Sequence, residues 1–511
     1  MSKQSEVNSY KQIKLGALIA YVGIFVNIAS GLIYTPWMIK SIGQANYGLY
    51  TLSISLISLF VMDFGLSAAL TRFISKYNSK EDQVSVNNVL GIAYKLYVVL
   101  DLIIAAALVV AYLCIGILYK ELTPVEIETL KGIYVITAGF SVLSFPFVTL
   151  SSILTSYEKF VFLKGSDLFN RVLSLVLIIV ALSMGYGIFT LVTINAVTGF
   201  ITILIKLVAI KRITPVKVNF LYKSRAMLKE ILAFSVWSTV ITISQRLIFN
   251  IMPSILGILA GSASIAIFGT AATIEGFVYT FASGINGMFL PRVSRIVSNE
   301  DSNSNLFDLM VKVGRIQFVI IGLIFVGFMS LGKNFIGLWL DDSFKNAYYC
   351  AVLLVLPSLI ELPQHIASIT VVAMNKVRLQ SLVYVGMAIV NIVLSSLLIK
   401  KIGEIGAALS ICISYMFRTI AMNIIYQKSL NIDVKSFFIQ CFKKLGGAFL
   451  FSLLCASLLS TVFPSGSWVL LLVQGIMVIV IYFVSMWLFA LNSYEKSLFL
   501  SFTKKIIRIG R

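Results

Sequence analysis

The stretch LIIAAALVVAYLCIGIL, residues 102–118, contains no charged side chain, and neither does VLLLVQGIMVIVIYFVSMWLFAL, residues 469–491. A helix crosses about 30 Å of hydrocarbon with ~20 mainly apolar residues. Lipid offers the backbone no hydrogen-bond partners, so a spanning segment is a helix or part of a closed barrel. Barrel strands alternate in polarity over ~10 residues, whereas these runs are apolar on every face. Fourteen such stretches follow one another: 15–39, 47–71, 88–118, 125–156, 168–184, 188–210, 228–256, 264–290, 311–338, 348–374, 379–399, 404–427, 442–463 and 468–491. The fold class is all-α: a polytopic membrane protein with about fourteen transmembrane helices.

Composition agrees. The chain has 511 residues, 59% of them hydrophobic and 12% charged, against roughly a quarter charged in soluble domains. The longest hydrophilic segment, residues 211–229, is too short to build its own core. A net charge of +20 in a soluble protein would suggest nucleic acid. Here it reads as Lys and Arg collected in cytoplasmic loops, so no nucleic-acid partner is expected. The five cysteines are scattered without C-x-x-C spacing and read as structural thiols. The basic start (Lys3, Lys11, Lys14) leads into an apolar run too long for a cleavable signal.

The breaks between spans alternate in charge. One set carries Arg72, Lys76 and Lys80; Lys159 and Lys164; Lys211, Arg212, Lys217, Lys223, Arg225 and Lys229; Arg292 and Arg295; Lys376 and Arg378; Lys428, Lys435, Lys443 and Lys444. Both chain ends, the second with Lys504, Lys505, Arg508 and Arg511, belong to it. The other set is short and poor in Lys and Arg. The bias predicts that the first set and both termini are cytoplasmic. The short outer connections leave no room for an external catalytic loop.

The first two spans resemble the seventh and eighth. After span one comes IGQANYGLY (42–50), and after span seven AGSASIAIF (260–268). Thr71-Arg72-Phe73 and Ser79-Lys80-Glu81-Asp82 mirror Pro291-Arg292-Val293 and Ser298-Asn299-Glu300-Asp301 at a near-constant offset. Both copies enter the membrane from the same side, so the repeat is parallel, as in many transporters. The expected organisation is an N-lobe of six spans (1–215), a C-lobe of six (216–440) in pseudo-twofold arrangement, and two further C-terminal helices with a tail (441–511).

With Tyr34-Thr35-Pro36, the 42–50 turn, Asp63-Phe64-Gly65-Leu66 and Thr71-Arg72 in view, the chain resembles the polysaccharide flippases of the multidrug/oligosaccharidyl-lipid/polysaccharide exporter superfamily. The likeness covers nearly the whole length. It implies transfer of undecaprenyl-diphosphate-linked oligosaccharide repeat units, for O-antigen or capsule assembly, across the plasma membrane of a bacterium. Association with polysaccharide polymerase machinery is implied too. In the family architecture spans one, two, seven and eight line a central cavity.

Charges inside hydrocarbon cost several kcal/mol unless paired or hydrated, so they are the first site candidates. Asp63 lies in span two, Arg246 in span seven and Glu275 in span eight. Arg246 and Glu275 sit at similar depth and are expected to be able to pair. A forked guanidinium suits a diphosphate; a structural ion pair is the competing reading. Gln245 and Asn250 flank Arg246, while Tyr21, Asn27, Ser30 and Tyr34 load span one with polar groups that could contact sugar or join helices. Pro36 and Pro253 are expected to kink spans one and seven. Glu361 and His365, one turn apart in span ten, and Arg418 in span twelve form a second polar cluster, read as helix packing or as H⁺ or Na⁺ coupling. Lys95, Arg171 and Lys206 are expected to snorkel. Trp37, Trp339 and Trp468 are expected in an interfacial belt.

There is no G-x-x-x-x-G-K-[ST] loop and no H-E-x-x-H motif, and there is a single histidine. No cofactor, metal site or enzymatic activity is expected. The alternatives are a multidrug or organic-cation exporter of the same superfamily and a membrane glycosyltransferase or polymerase. Absence of a sizeable outer loop disfavours the latter.

Overall fold

The computed structural model describes residues 3–283, 302–374, 376–463 and 466–497, with 289, 293, 296 and 297 in addition. The sequence mirror at residues 291–292 and 298–301, Arg292, Arg295 and the basic tail lie outside the described residues, apart from Val293. Among the described residues the chain is helical, with short 3₁₀ pieces and no strand. Among those residues twelve helices are long and apolar enough to cross a membrane. Two of the fourteen expected spans are absent from that number for identifiable reasons. Residues Val377–Leu430 hold spans eleven and twelve, separated by non-helical Ile402 and Gly403, the latter at φ 57°, where a Cβ is disfavoured. Span two is interrupted: Gln44–Phe60 ends and Leu66–Asn78 begins anew.

The structure separates into two compact units, 1–269 and 270–511. That division groups helices by packing, whereas the lobes inferred from the repeat group them by duplication.

In the first unit the helices are α1 (Lys3–Ile42), α2 (Gln44–Phe60), α3 (Leu66–Asn78), α4 (Gln83–Leu118), α5 (Pro124–Ser144), α6 (Thr149–Ser156), α7 (Phe160–Ser183), α8 (Ile188–Ile213), α9 (Arg225–Phe249), α10 (Met252–Leu259) and the start of α11 (Gly261–Ser283). Local signals set their ends. Asp82 accepts from the Ser85 amide at 3.0 Å to cap α4, and this bonding holds its carboxyl below the usual carboxylate range. Thr123 and Glu126 form a capping box on α5, with Pro124 in the first turn. Small hydroxyls join the helices at close range: Ser53 to Thr137 at 3.0 Å, and Ser152 and Ser156 to the carbonyls of Ser67 and Thr71, each at 3.2 Å.

The two turns matched in sequence share a backbone feature. Gly43 and Gly261, equivalent positions of the two turns, share φ values of 84° and 81°. The two turns also pack together. A Cβ on Gly48 would lie 2.2 Å from the Ser262 carbonyl oxygen, so only glycine permits the approach. Pro253 does accompany a break, between α9 and α10. Pro36 does not: it sits inside the unbroken α1.

In the second unit α12 (Ser302–Trp339) is central. It is followed by α13 (Lys345–Val355), α14 (Ser358–Glu361), α15 (His365–Ala373), α16 (Val377–Leu430), α17 (Val434–Val462) and α18 (Trp468–Phe489). The last two helices pack on α12 through Phe318, Phe325, Phe449, Tyr482 and Met486. Tyr482 donates to the Val319 carbonyl at 2.9 Å. Arg315, absent from the candidates read from sequence, holds the far end. It forms a buried ion pair with Glu495, Nη2 to Oε2 2.9 Å, and donates to the carbonyls of Ala490 and Gln440. Spans thirteen and fourteen are thus bonded into this unit. Trp339, expected at an interface, is instead buried and stacked on Phe335 at 5.3 Å; Trp468 is exposed.

The outer faces are apolar. Val98, Val99, Leu102, Val109, Val110 and Leu113 of α4 are all exposed, a continuous surface that only lipid would cover at acceptable cost.

Candidate functional site

The interruption of span two places several candidate residues. The sequence reading ran helix two continuously past Asp63; the structure breaks it at 61–65, about 25 Å along the span from Gln44. Phe64 (φ 51°) and Gly65 (φ 69°) turn the chain through left-handed conformations. Asp63 is the reason the second half restarts there. Its carboxylate accepts from the amides of Gly65 and Ser67, both at 3.3 Å, satisfying donors at the start of α3 and placing negative charge at a helix N-terminus.

The break frees carbonyls, and α9 meets them. In a regular helix the Ser58 carbonyl would receive the Met62 amide; that amide goes to Phe60 instead, and Arg246 Nη1 donates to Ser58. Thr239 Oγ1 donates to the Phe64 carbonyl at 2.7 Å and Ser235 Oγ to that of Gly65 at 3.4 Å. Residues 235, 239 and 246 lie at helical spacing on one side of α9. Ser235 and Thr239 were missed by the sequence reading because hydroxyls in a membrane helix most often bond to their own backbone. The pairing signal was the combination of an Asp-Phe-Gly break in one span with a serine, a threonine and an arginine in register on another.

Arg246 is half-buried and feels the charge of Asp63. Among the described residues one of its five donors is taken, by the Ser58 carbonyl. Arg246 lies in the first unit and Glu275 in the second; Arg246 bonds to Ser58 and Glu275 feels the charge of Glu361. Asn250 closes α9, its amide bonded to the Arg246 carbonyl at 3.0 Å. Gln245 is exposed. On α1, Asn27 is half-buried and its carbonyl accepts from Ser30, while the Tyr34 hydroxyl is buried without a hydrogen-bond partner among the described residues.

Beyond the break, α3 and α6 border an open crevice of about 500 Å³ lined by Ser67, Thr71, Arg72, Ser75, Ser151 and Thr155. Lys206 reaches Ser151 at 3.4 Å but is tied chiefly to Asp167, at 2.8 Å. It is therefore paired rather than snorkelling as expected. Lys95 likewise donates to the Tyr222 carbonyl at 3.0 Å, and Arg171 is exposed.

The second unit brings Glu361, His365 and Arg418 together, though not on a regular helix. Pro357 and Pro363 divide span ten into α13, α14, a 3₁₀ turn at Leu362–Gln364, and α15. Gly314 of α12 accommodates this irregular backbone: a Cβ there would sit 2.8 Å from the Pro363 carbonyl oxygen. Glu361 Oε1 and Arg418 Nη1 are 2.8 Å apart, with side chains 14% and 6% exposed. The guanidinium lies over the rings of Tyr384, at 4.9 Å, and Tyr415, at 5.9 Å. Gln364 donates to Asn423 at 2.7 Å. Glu361, Gln364, His365, Ser368, Arg418 and Tyr426 line one small polar cavity. Glu275 is within electrostatic reach of Glu361, so a second carboxylate lies near the partner of the buried arginine. No group of three or more His, Cys, Asp or Glu able to hold a metal occurs among the described residues.

Comparison with known proteins adds a frame. A family model described as polysaccharide biosynthesis protein matches residues 14–297. No curated protein matches the sequence. Among solved structures, the lipid II flippase MurJ in its inward closed conformation is similar over 94% of this chain and 98% of its own, at 15% identity and TM-score 0.69. An inward-facing multidrug-resistance MATE transporter of the MOP superfamily covers 79% of this chain and 96% of its own, at 15% identity and TM-score 0.59. A MOP-superfamily transporter from Pyrococcus furiosus covers 81% and 93%, at 13% identity and TM-score 0.59. These likenesses establish a shared membrane-transporter fold. With the family model spanning more than half its length, the chain belongs to the polysaccharide biosynthesis protein family.

Proposed function

We propose that the protein flips a polyprenyl-diphosphate-linked oligosaccharide from the cytoplasmic to the outer leaflet of a bacterial plasma membrane, by alternating access of two six-helix lobes (1–215 and 216–440). It does so without enzymatic chemistry. The observation that carries this reading is Arg246: a cation held beside an interrupted membrane helix, with one of its donors on the Ser58 carbonyl and most of the others unused among the described residues. A diphosphate is the ligand for which such a fork is best suited. The hydroxyl-lined crevice with Arg72 offers the adjoining sugars hydrogen-bond partners. Family membership and the likeness to a lipid II flippase support the same substrate class.

Glu275, Glu361, His365 and Arg418 form the natural place for H⁺ or Na⁺ coupling, because a buried pair with a second carboxylate nearby responds to protonation or a cation. The likeness to MATE transporters favours multidrug export as the second reading.

The test is complementation of a strain lacking its own repeat-unit flippase, scoring surface polysaccharide and the lipid-linked intermediate. Restored polymer with the intermediate cleared from the inner leaflet is expected, and Arg246→Gln should cut flipping by roughly 10- to 100-fold at normal expression. Undiminished export by that variant removes the arginine from the substrate. Drug efflux without polymer rescue in the same cells would favour the second reading.

A further inference from the structure

The segment between α8 and α9 is fastened down. The Lys217 amide donates to Asn87 Oδ1 at 2.9 Å, the Asn219 amide to the Asn87 carbonyl at 3.1 Å, and Asn219 Nδ2 to Asn88 Oδ1 at 2.8 Å. Lys95 donates to the Tyr222 carbonyl at 3.0 Å. Gly91 makes the fit possible, since a Cβ there would lie 1.8 Å from the Asn219 carbonyl oxygen. Residues 217–222 therefore form a strap across the first turns of α4.

Beside the strap is an open cavity of about 470 Å³, lined in part by Lys95, Leu96, Val99, Lys223, Arg225 and Leu228. None of its lining residues is a carboxylate, so three cations there lack a lining counter-ion. Two of the three, Lys223 and Arg225, are exposed. Lys95 spends one of three donors on the strap. The opposite wall is apolar and continues into the lipid-facing surface of α4, where Val99 and Leu102 are 54% and 68% exposed. Next to the cavity, the strap presents Phe220 and Leu221, 57% and 90% exposed. Apolar side chains left in water beside clustered cations are the pattern of a membrane-interface site.

We infer that this cavity binds an acidic glycerophospholipid: its phosphate lies among Lys95, Lys223 and Arg225, its acyl chains run along α4, and Phe220 and Leu221 enter the same leaflet. The ligand lies beside the strap, between α4 and the start of α9. This site is separate from Arg246 and stands whether or not the proposed substrate is correct.

Native mass spectrometry of the full-length protein in detergent, titrated with dioleoyl-phosphatidylglycerol or dioleoyl-phosphatidylcholine, tests it. Preferential retention of phosphatidylglycerol is expected. Lys223→Gln with Arg225→Gln should weaken it at least fivefold, about the effect of losing one basic residue at an anionic surface. Lys211→Gln with Arg212→Gln, on the same cytoplasm-assigned segment but outside the cavity, should leave it unchanged. Val99→Trp blocks the cavity with all charges intact and should reproduce the loss, which covers the case of a poorly folding charge variant. Equal retention of both lipids, or equal loss in the two charge variants, would show diffuse attraction and overturn the site. One-for-one displacement by undecaprenyl diphosphate would reassign it to the transported lipid and overturn it as well.

Discussion

Span two in the first unit and span ten in the second are both interrupted, and the two interruptions are solved differently. Span two breaks at Asp63-Phe64-Gly65, where freed backbone carbonyls take donors from Ser235, Thr239 and Arg246 while Asp63 caps the restart. Span ten breaks at two prolines, which have no amide to leave unsatisfied. There the charged side chains serve each other: Glu361 pairs with Arg418, and two tyrosine rings cover the guanidinium. In the first break, charge supports the backbone and the arginine keeps donors in reserve. In the second, charge is consumed by charge. The first arrangement suits an anionic ligand and the second suits a gate or a coupling ion.

The largest effect should come from unbalancing the second break. Glu361→Ala leaves Arg418 buried without its carboxylate and should cost about 3–5 kcal/mol, read as a lowered midpoint in detergent unfolding. Replacing both partners with uncharged side chains of similar size should recover most of the loss. If the single variant unfolds like the wild type, water reaches this pair and the contrast between the two breaks disappears.

Arg246→Gln should act in the opposite sense, on transport rather than stability. Losing a charge-assisted contact to a diphosphate predicts a fall in flipping of roughly 10- to 100-fold, with a shift of no more than about 1 kcal/mol in unfolding. A large unfolding shift with proportionate transport would make Arg246 a structural clamp alone.

Asp63 sharpens the comparison further. As a cap, it predicts that Asp63→Ala loses about 1 kcal/mol while Asp63→Asn is nearly neutral, in folding and in transport alike. Loss of transport in the stable Asn variant would return the carboxylate to a direct role in the site. The smallest effect belongs to Thr239→Val. Removing one interhelical hydrogen bond in a membrane costs about 0.6 kcal/mol on average, and a thermal-shift series over Ser235 and Thr239 should resolve whether the two losses add.

Much of this was legible in advance. The succession of apolar spans was legible, although span two is interrupted, and so were the two glycine turns, where Gly43 and Gly261 take nearly the same φ. Glu361, His365 and Arg418 were expected to cluster and do so. Asp63 was read as a lone charge inside a continuous helix. Yet Asp-Phe-Gly followed by Leu-Ser is also a helix-start pattern, with a carboxylate two to four residues ahead of the amides it bonds. Arg315 and Glu495 escaped notice because they are 180 residues apart, each looking like an ordinary charge at a span end.

The sequence by itself determined that this chain is a many-span helical membrane protein, because hydrocarbon imposes a length and polarity rule that acts residue by residue. It also determined where ionisable groups enter that environment. Tertiary structure decided what those groups do. Whether Asp63 caps a helix, Arg246 holds a carbonyl or Glu361 neutralises Arg418 depends on partners brought close only by packing, and hydrogen bonds act over about 3 Å regardless of separation along the chain.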